Sequence, residues 1–254
     1  MDLSESPLEG ARRHPWERTR SAFFVDRLAS RLARGGRVLD LGAGDAFFAS
    51  ELAARCPEAR VTCADLGYDE AVVGRLSRLY PRLRFVREVP AETFDVVIAL
   101  DVAEHVEDDR GFVRTIAESW LPIGGHLLFS VPAYGWLWSS HDVALRHHRR
   151  YAHHEAEALL RRSGFDVETG GGLFGSLVAP RAAAVAVEKL GQRLGRRAET
   201  KAASEGAIAW DRPAWITSTV MGALALDARL SLRAARVGLG LPGLSYWALA
   251  RRIR

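Results

Sequence analysis

The chain has 254 residues, 48% apolar and 26% charged, which are globular proportions and exclude a disordered tail protein, a collagen and a small disulfide scaffold. A chain of this length buries a full core without metal or disulfide staples. The formal charge is +4 and the pI about 9.4; only Lys189 and Lys201 are lysines among 35 basic residues, a usage that fits a GC-rich genome.

The charge is unevenly spread. Residues 171–254 hold 13 Lys/Arg against 5 Asp/Glu, a balance of +8, which leaves −4 on the part before them. A mildly acidic body with a basic tail suits an anionic surface or acceptor better than general nucleic-acid binding. Cys56 and Cys63 lack the spacing of a metal cage or redox motif. The opening Met1-Asp2-Leu3-Ser4-Glu5 is unlike a secretory leader, and the 14-residue apolar stretch 213–226 is too short to span a bilayer, so a cytoplasmic protein is expected.

Residues 1–15 read as a polar arm containing Arg12-Arg13-His14-Pro15, either a flap over a ligand mouth or simply a helix start beside proline. Over 16–34, Phe23, Phe24, Leu28 and Leu32 recur at helical spacing until Gly35-Gly36. Strands are then predicted at 37–41, 60–64, 83–86, 94–100, 126–131 and 165–168, with helices at 45–55, 69–79, 108–120 and 153–163. This alternation predicts an α/β protein with a parallel sheet covered by helices on both faces. After Gly170-Gly171-Gly172 the pattern changes to helices at 176–197 and 214–236, a polar Ala-rich stretch around 198–207 between them, and a final strand at 244–249. The expected organisation is an arm and helix (1–34), a core (35–172), a helical cap inserted before the last strand (173–240), and the final strand and tail (241–254).

The first strand runs into Val38-Leu39-Asp40-Leu41-Gly42-Ala43-Gly44-Asp45-Ala46-Phe47. A glycine loop between strand and helix lets a ligand approach the backbone closely. Phe47 stands where a dinucleotide fingerprint would carry its third glycine. Asp40 and Asp45 flank the loop; two carboxylates repel a pyrophosphate and attract an ammonium or sulfonium. Asp65 ends the second strand, where an acid accepts hydrogen bonds from ribose hydroxyls. A nucleoside with a cationic amino-acid tail satisfies all three acids, and S-adenosylmethionine is such a ligand.

At these residues the chain resembles the class I S-adenosylmethionine-dependent methyltransferases, through 38–47, 61–65, 94–106 and Leu121-Pro122-Ile123-Gly124-Gly125-His126-Leu127, over about residues 35–170. The resemblance implies a Rossmann-like seven-stranded sheet of order 3-2-1-4-5-7-6 with the seventh strand antiparallel. It further implies that Asp40 holds the methionine ammonium, Asp65 the ribose, and Gly42, Ala43 and Gly44 backbone contacts. Leu66 and Leu100 then lie near the adenosine and methionine portions, and Asp101 follows at the cofactor side of the strand exit. The end of the third strand, Arg87-Glu88-Val89-Pro90, is shorter than the family pattern.

Two segments carry candidate chemistry. Asp101-Val102-Ala103-Glu104-His105, if helical, places Asp101, Glu104 and His105 on one face. It resembles the E-x-x-E-H metal set of quinone-biosynthesis and small-RNA terminal methyltransferases, with Asp first; the alternative, which is the expectation, is a metal-free pocket floor. The second segment runs from Ser130 to Tyr151 and holds His141, His147 and His148, with His153 and His154 just beyond. It resembles a subgroup of bacterial methyltransferases with V-P-A, H-D and R-R-Y elements. His141, His147 or His105 is then a candidate general base, and Trp136 and Trp138 candidate walls of an apolar pocket. The alternative is that His141-Asp142 and Arg149-Arg150-Tyr151 form a bracing network. The expected function is S-adenosylmethionine-dependent methylation, at oxygen, of a small-molecule or lipid-like acceptor covered by the cap, whose Trp210, Trp215 and Met221 lie among arginines. A peripheral membrane contact through the cap is compatible with that composition. The rivals are a non-catalytic cofactor-fold module and a nucleic-acid methyltransferase, the latter disfavoured because no basic, aromatic-interleaved module is recognisable.

Overall fold

The computed structural model describes residues 13–194 and 210–254. The Ala-rich stretch around 198–207 and most of the amino-terminal arm, Arg12 included, lie outside the described residues. Helix α1 is Pro15–Ala29: His14 Nδ1 accepts the backbone N–H of Trp16, and proline fills the first helical position. The helix ends earlier than the expected residue 34 because the Leu28 carbonyl collects the N–H groups of both Arg31 and Leu32 at 3.0 Å, tightening the last turn.

The chain then alternates through β1 (Gly36–Leu41), α2 (Phe47–Arg55), β2 (Ala59–Ala64), α3 (Glu70–Leu79), β3 (Arg84–Val86), β4 (Val96–Leu100), α4 (Asp109–Thr115, continued by a π-helical turn Ile116–Trp120) and β5 (His126–Pro132). After a short helix α5 (Ser140–Ala144) that the sequence pattern does not announce, α6 (His153–Arg162) leads into β6 (Phe165–Leu173). Helices α7 (Val178–Arg193) and α8 (Ala214–Arg236) precede β7 (Ser245–Arg252). The sheet has the order β3-β2-β1-β4-β5-β7-β6, with β7 antiparallel to both neighbours.

Strand β4 is apolar throughout, and Val38, Leu39 and Leu41 of β1 are buried beside it, because both faces are covered. On one face Phe23, Phe24 and Leu28 of α1 pack with Leu52 of α2 and Leu224 and Ala228 of α8; on the other, Val113, Ile116, Tyr151 and Leu160 cover Val97 and Phe129. The expected boundary at the three glycines falls inside a strand. β6 continues through Gly170, Gly171 and Gly172, and a Cβ on Gly172 would stand 2.4 Å from the nitrogen of Gly243 and the carbonyl oxygen of Leu241. These glycines admit a close backbone crossing where they were expected to end an element. No described helix is long and apolar enough to cross a membrane.

Candidate active site

The carboxyl ends of β1, β2, β4 and β5 open on one crevice, where parallel α/β sheets place their ligands. A cleft there, open to solvent, is lined by Glu17, Arg20 and Phe24 of α1, by Asp40 near the end of β1, by Gly42, Ala43 and Asp45 of the loop after it, by Phe47 and Phe48 of α2, and by Leu100. Gly42 has a left-handed φ of +64°, and a Cβ there would meet Val102 at 2.8 Å, so the loop path excludes a side chain. Tyr68, buried beneath, donates its hydroxyl hydrogen bond to the Gly44 carbonyl at 2.8 Å and fixes the loop from below.

Asp40 is buried in the cleft wall, and that burial pushes its carboxyl up to about 7, with the charge of Asp65 adding to the rise and Arg20 opposing it. A carboxylate desolvated beside an open cleft is what an incoming cation would relieve. Asp65 stands at the rim, its two oxygens accepting from the N–H groups of Gly44 (2.9 Å) and Gly67 (2.8 Å). Leu66 beside it is 81% exposed, whereas Leu100 is buried in the cleft floor.

Helix α1 contributes more than the sequence pattern announced. Arg13 pairs with Glu17 one turn on and with Asp45 across the loop, and its guanidinium lies 4.0 Å over the Phe47 ring. Of the two described residues before α1, His14 caps the helix and Arg13 reaches over the loop. Arg20 reaches the end of β4, 2.6 Å from Asp101 and 2.8 Å from the Ser130 hydroxyl, which itself donates to Asp101 at 2.9 Å. The signal for Arg20 was an arginine among Trp16, Phe23 and Phe24 on the apolar stripe of a helix.

The expected common face of Asp101, Glu104 and His105 does not form. Asp101 ends β4 with φ +56°, and only a 3₁₀ turn, Ala103–His105, follows. With its carboxylate held by Arg20 and Ser130, Asp101 leaves the group and His147 takes its place. Among the described residues, Glu104, His105 and His147 each offer one ligand atom, all within 4.8 Å of one another. Glu104 is fully buried with neither carboxylate oxygen hydrogen-bonded, and burial raises its pKa well above the ordinary range.

The loop after β5 is held by Asp142, which is 0% exposed. It accepts from Arg150 Nε at 2.6 Å, His147 Nδ1 at 3.0 Å, and the Ser139 N–H and hydroxyl at 3.0 and 3.1 Å. These bonds hold its pKa below the usual carboxylate range against the opposing effect of burial. Arg149 and Tyr151 pair instead with Asp109. The bracing network therefore exists, with His147 as the histidine on Asp142. His105 and His147 meet edge to face with centroids 4.7 Å apart. His141 on α5 is half-buried, its pKa lowered by burial and then by the nearby Arg181. None of these three histidines lines the cleft; they follow it at the same end of the sheet. Trp136 is largely exposed, and Trp215, expected over the acceptor, lies on the outer face of α8.

Comparison with known proteins agrees with this geometry. Residues 13–169 match the family model described as a methyltransferase domain, and the chain belongs to that family. The ubiquinone biosynthesis O-methyltransferase of Yersinia pestis (strain Pestoides F) is 35% identical over 103 residues, 37% of this chain; the match spans 41% of that curated relative's length. Among solved structures, one assigned as a sarcosine dimethylglycine methyltransferase from Galdieria sulphuraria superposes with a TM-score of 0.54 at 15% identity, covering 91% of this chain and 85% of that one. Coclaurine N-methyltransferase bound to N-methylheliamine and S-adenosylhomocysteine gives the same TM-score at 15% identity, covering 91% and 70%. These two likenesses show the fold.

Proposed function

We propose that this chain transfers a methyl group from S-adenosylmethionine to a hydroxyl oxygen of a small or lipid-like acceptor in the cytoplasm. The observation that carries the reading is the desolvated Asp40 beside the Gly42-Ala43-Gly44 loop in an open cleft. Asp40 binds the ammonium, Asp65 accepts from the ribose hydroxyls, the loop backbone meets the amino-acid portion, and Leu66 and Leu100 flank the nucleoside and methionine ends. Asp101, anchored by Arg20, marks the boundary between cofactor and acceptor. When bound, the cofactor supplies a methyl on a sulfonium, so the residues need to align the acceptor and receive its proton. His147 is assigned the proton because Asp142 holds its Nδ1 and so fixes the orientation of the ring. His105 meets its ring edge to face, and His141 lies on α5. The Yersinia relative's name specifies oxygen as its acceptor atom.

A second reading rests on the unpartnered oxygens of Glu104: a divalent ion held by Glu104, His105 and His147 and oriented through Asp142 would polarise the acceptor hydroxyl. One experiment separates the possibilities: a metabolite extract incubated with methyl-labelled S-adenosylmethionine, with and without chelator. Labelled organic product with stoichiometric S-adenosylhomocysteine in both arms supports the metal-free reading, and product only without chelator the metal one. Absence of calorimetric cofactor binding would leave a non-catalytic module, and label in nucleic acid would overturn the small-molecule acceptor.

A further inference from the structure

Helix α8 buries one side against α1 and β6 through Leu224, Ala228 and Ser231. Its opposite side is not the polar surface that a half-buried helix ordinarily presents. Trp215 is 71% exposed, Leu226 57%, Leu230 48%, and Val237, just past the helix end, 72%. At 100° per residue these four fall within a sector of about 60°, so they lie along one side of the helix, with Thr219 and Gly222 between Trp215 and Leu226. Leu239 and Leu241 extend it, both exposed in the loop that returns to β7.

Among the described residues of α8, the charges on this side have one sign. Arg233 lies within the stripe, and Arg229 and Arg236 border it; all three are exposed. The helix has one acid, Asp227, and it is turned away, accepting from the N–H groups of Gly175 (3.2 Å) and Ser176 (2.7 Å). At the amino-terminal end Asp211 is offset by Arg212 beside it, and on α1 Asp26 lies next to Arg27. A second copy of the chain laid against this stripe would bring arginine to arginine, with no acid among the described residues of the face to pair them. A protein partner of ordinary surface would need acids matched to three positions. An anionic bilayer satisfies both halves of the pattern at once, taking the apolar side chains into the acyl boundary and the guanidinium groups to the headgroup phosphates.

We infer that the outer face of α8 is a docking surface for an anionic lipid membrane, with Trp215, Leu226, Leu230 and Val237 entering the interface and Arg229, Arg233 and Arg236 pairing with lipid phosphates. The attachment is peripheral, since no described helix can cross a bilayer. It is independent of which acceptor is methylated, because the stripe lies on the side of α8 opposite α1 and its cleft residues.

The test is flotation of the full chain with vesicles of phosphatidylcholine alone or containing about 30% phosphatidylglycerol, a fraction that gives a negative surface potential. The expected result is binding at least about tenfold stronger to the anionic vesicles, as three arginines near such a surface would give. The triple variant Arg229→Gln/Arg233→Gln/Arg236→Gln should lose that preference, and Trp215→Ala/Leu226→Ser/Leu230→Ser should lose binding to both vesicle types. All six positions are exposed or half-exposed, and an unchanged thermal melt confirms that each variant is folded. Failure of the folded wild type to float with anionic vesicles overturns the inference. So does a dimer that dissociates on Leu226→Ser, which would assign the stripe to a second copy. Shielding of Trp215 from a soluble quencher in the free monomer would assign it to the chain itself, and salt-sensitive RNA binding without flotation would assign the arginines to nucleic acid.

Discussion

Arg20, one turn beyond Trp16 on α1, places its guanidinium 2.6 Å from the Asp101 carboxylate at the end of β4. The bond ties the amino-terminal helix to the end of β4, and Ser130 of β5 completes it. It is more than a surface ion pair, because Arg20 is buried between the Trp16 and Phe24 rings. Arg20→Ala should therefore lower unfolding free energy by roughly 1–3 kcal/mol, the cost of stranding a partly buried charged partner. Urea unfolding of Arg20→Ala, Asp101→Asn and the double variant checks it: the double variant should cost less than the sum of the singles. Strict additivity would mean the two residues act separately.

The burial of Asp40 makes the stability of the fold depend on pH. Its folded pKa, about 7, lies above its unfolded value, so the folded state holds the extra proton. That contribution is fully present below about pH 4 and is lost as pH rises through 7. Asp40→Asn removes the dependence: without cofactor the variant should melt higher than wild type at pH 8, by about 5 °C, and the gap should narrow toward pH 5. With S-adenosylmethionine the order should reverse, because the variant loses at least about tenfold in affinity as a charge-assisted bond disappears. Thermal melts at both pH values, with and without cofactor, decide it; a variant that still binds normally would move the ammonium site elsewhere.

Much of this site was legible because its residues sit at fixed places on strand ends. Asp40, the glycine loop and Asp65 follow from where β1 and β2 stop, and the period of the apolar runs locates both. What the sequence withheld were couplings between distant segments. Arg13 meets Asp45, Arg20 meets Asp101, and His147 meets His105 only once the sheet has formed. The Asp101–His105 segment misled for a local reason: helical spacing was assumed where the left-handed φ of Asp101 leaves only a 3₁₀ turn. The glycines 170–172 misled because glycine marks both element ends and close crossings, and the crossing with Gly243 is invisible along the chain.

Asp142 and His147 should separate on mutation into a structural and a chemical effect. The folded pKa of Asp142 is depressed, so its contribution to stability is present above its unfolded pKa near 4 and disappears as pH falls below that. Asp142→Asn leaves Arg150 without its carboxylate and should destabilise the fold at pH 7 by about 3–5 kcal/mol, as breaking a buried pair does. His147→Gln keeps a polar side chain in the loop. It should retain most stability and cofactor affinity while kcat falls by roughly 10²–10⁴, the usual contribution of a positioned base. Calorimetry and single-turnover methylation distinguish the two; an unchanged kcat in folded His147→Gln removes it from the reaction.

Glu104 decides between the two readings of the histidine cluster. In the metal-free reading its carboxyl is a buried group without partners, and glutamine of nearly the same shape can replace it. Glu104→Gln should then keep turnover within about threefold of wild type, a difference of ~0.6 kcal/mol. Chelator should not slow wild type, and magnesium or zinc should leave its melting temperature unmoved. A bound ion predicts the opposite on each count, since a ligand that binds only the folded state raises its stability by mass action. Melting temperatures of wild type and Glu104→Gln across a zinc and a magnesium titration read this without any acceptor in hand. A rise in wild type that the variant lacks, restored by metal after chelation, would make Glu104, His105 and His147 ligands and turn Asp142 into the residue that orients His147 toward the ion.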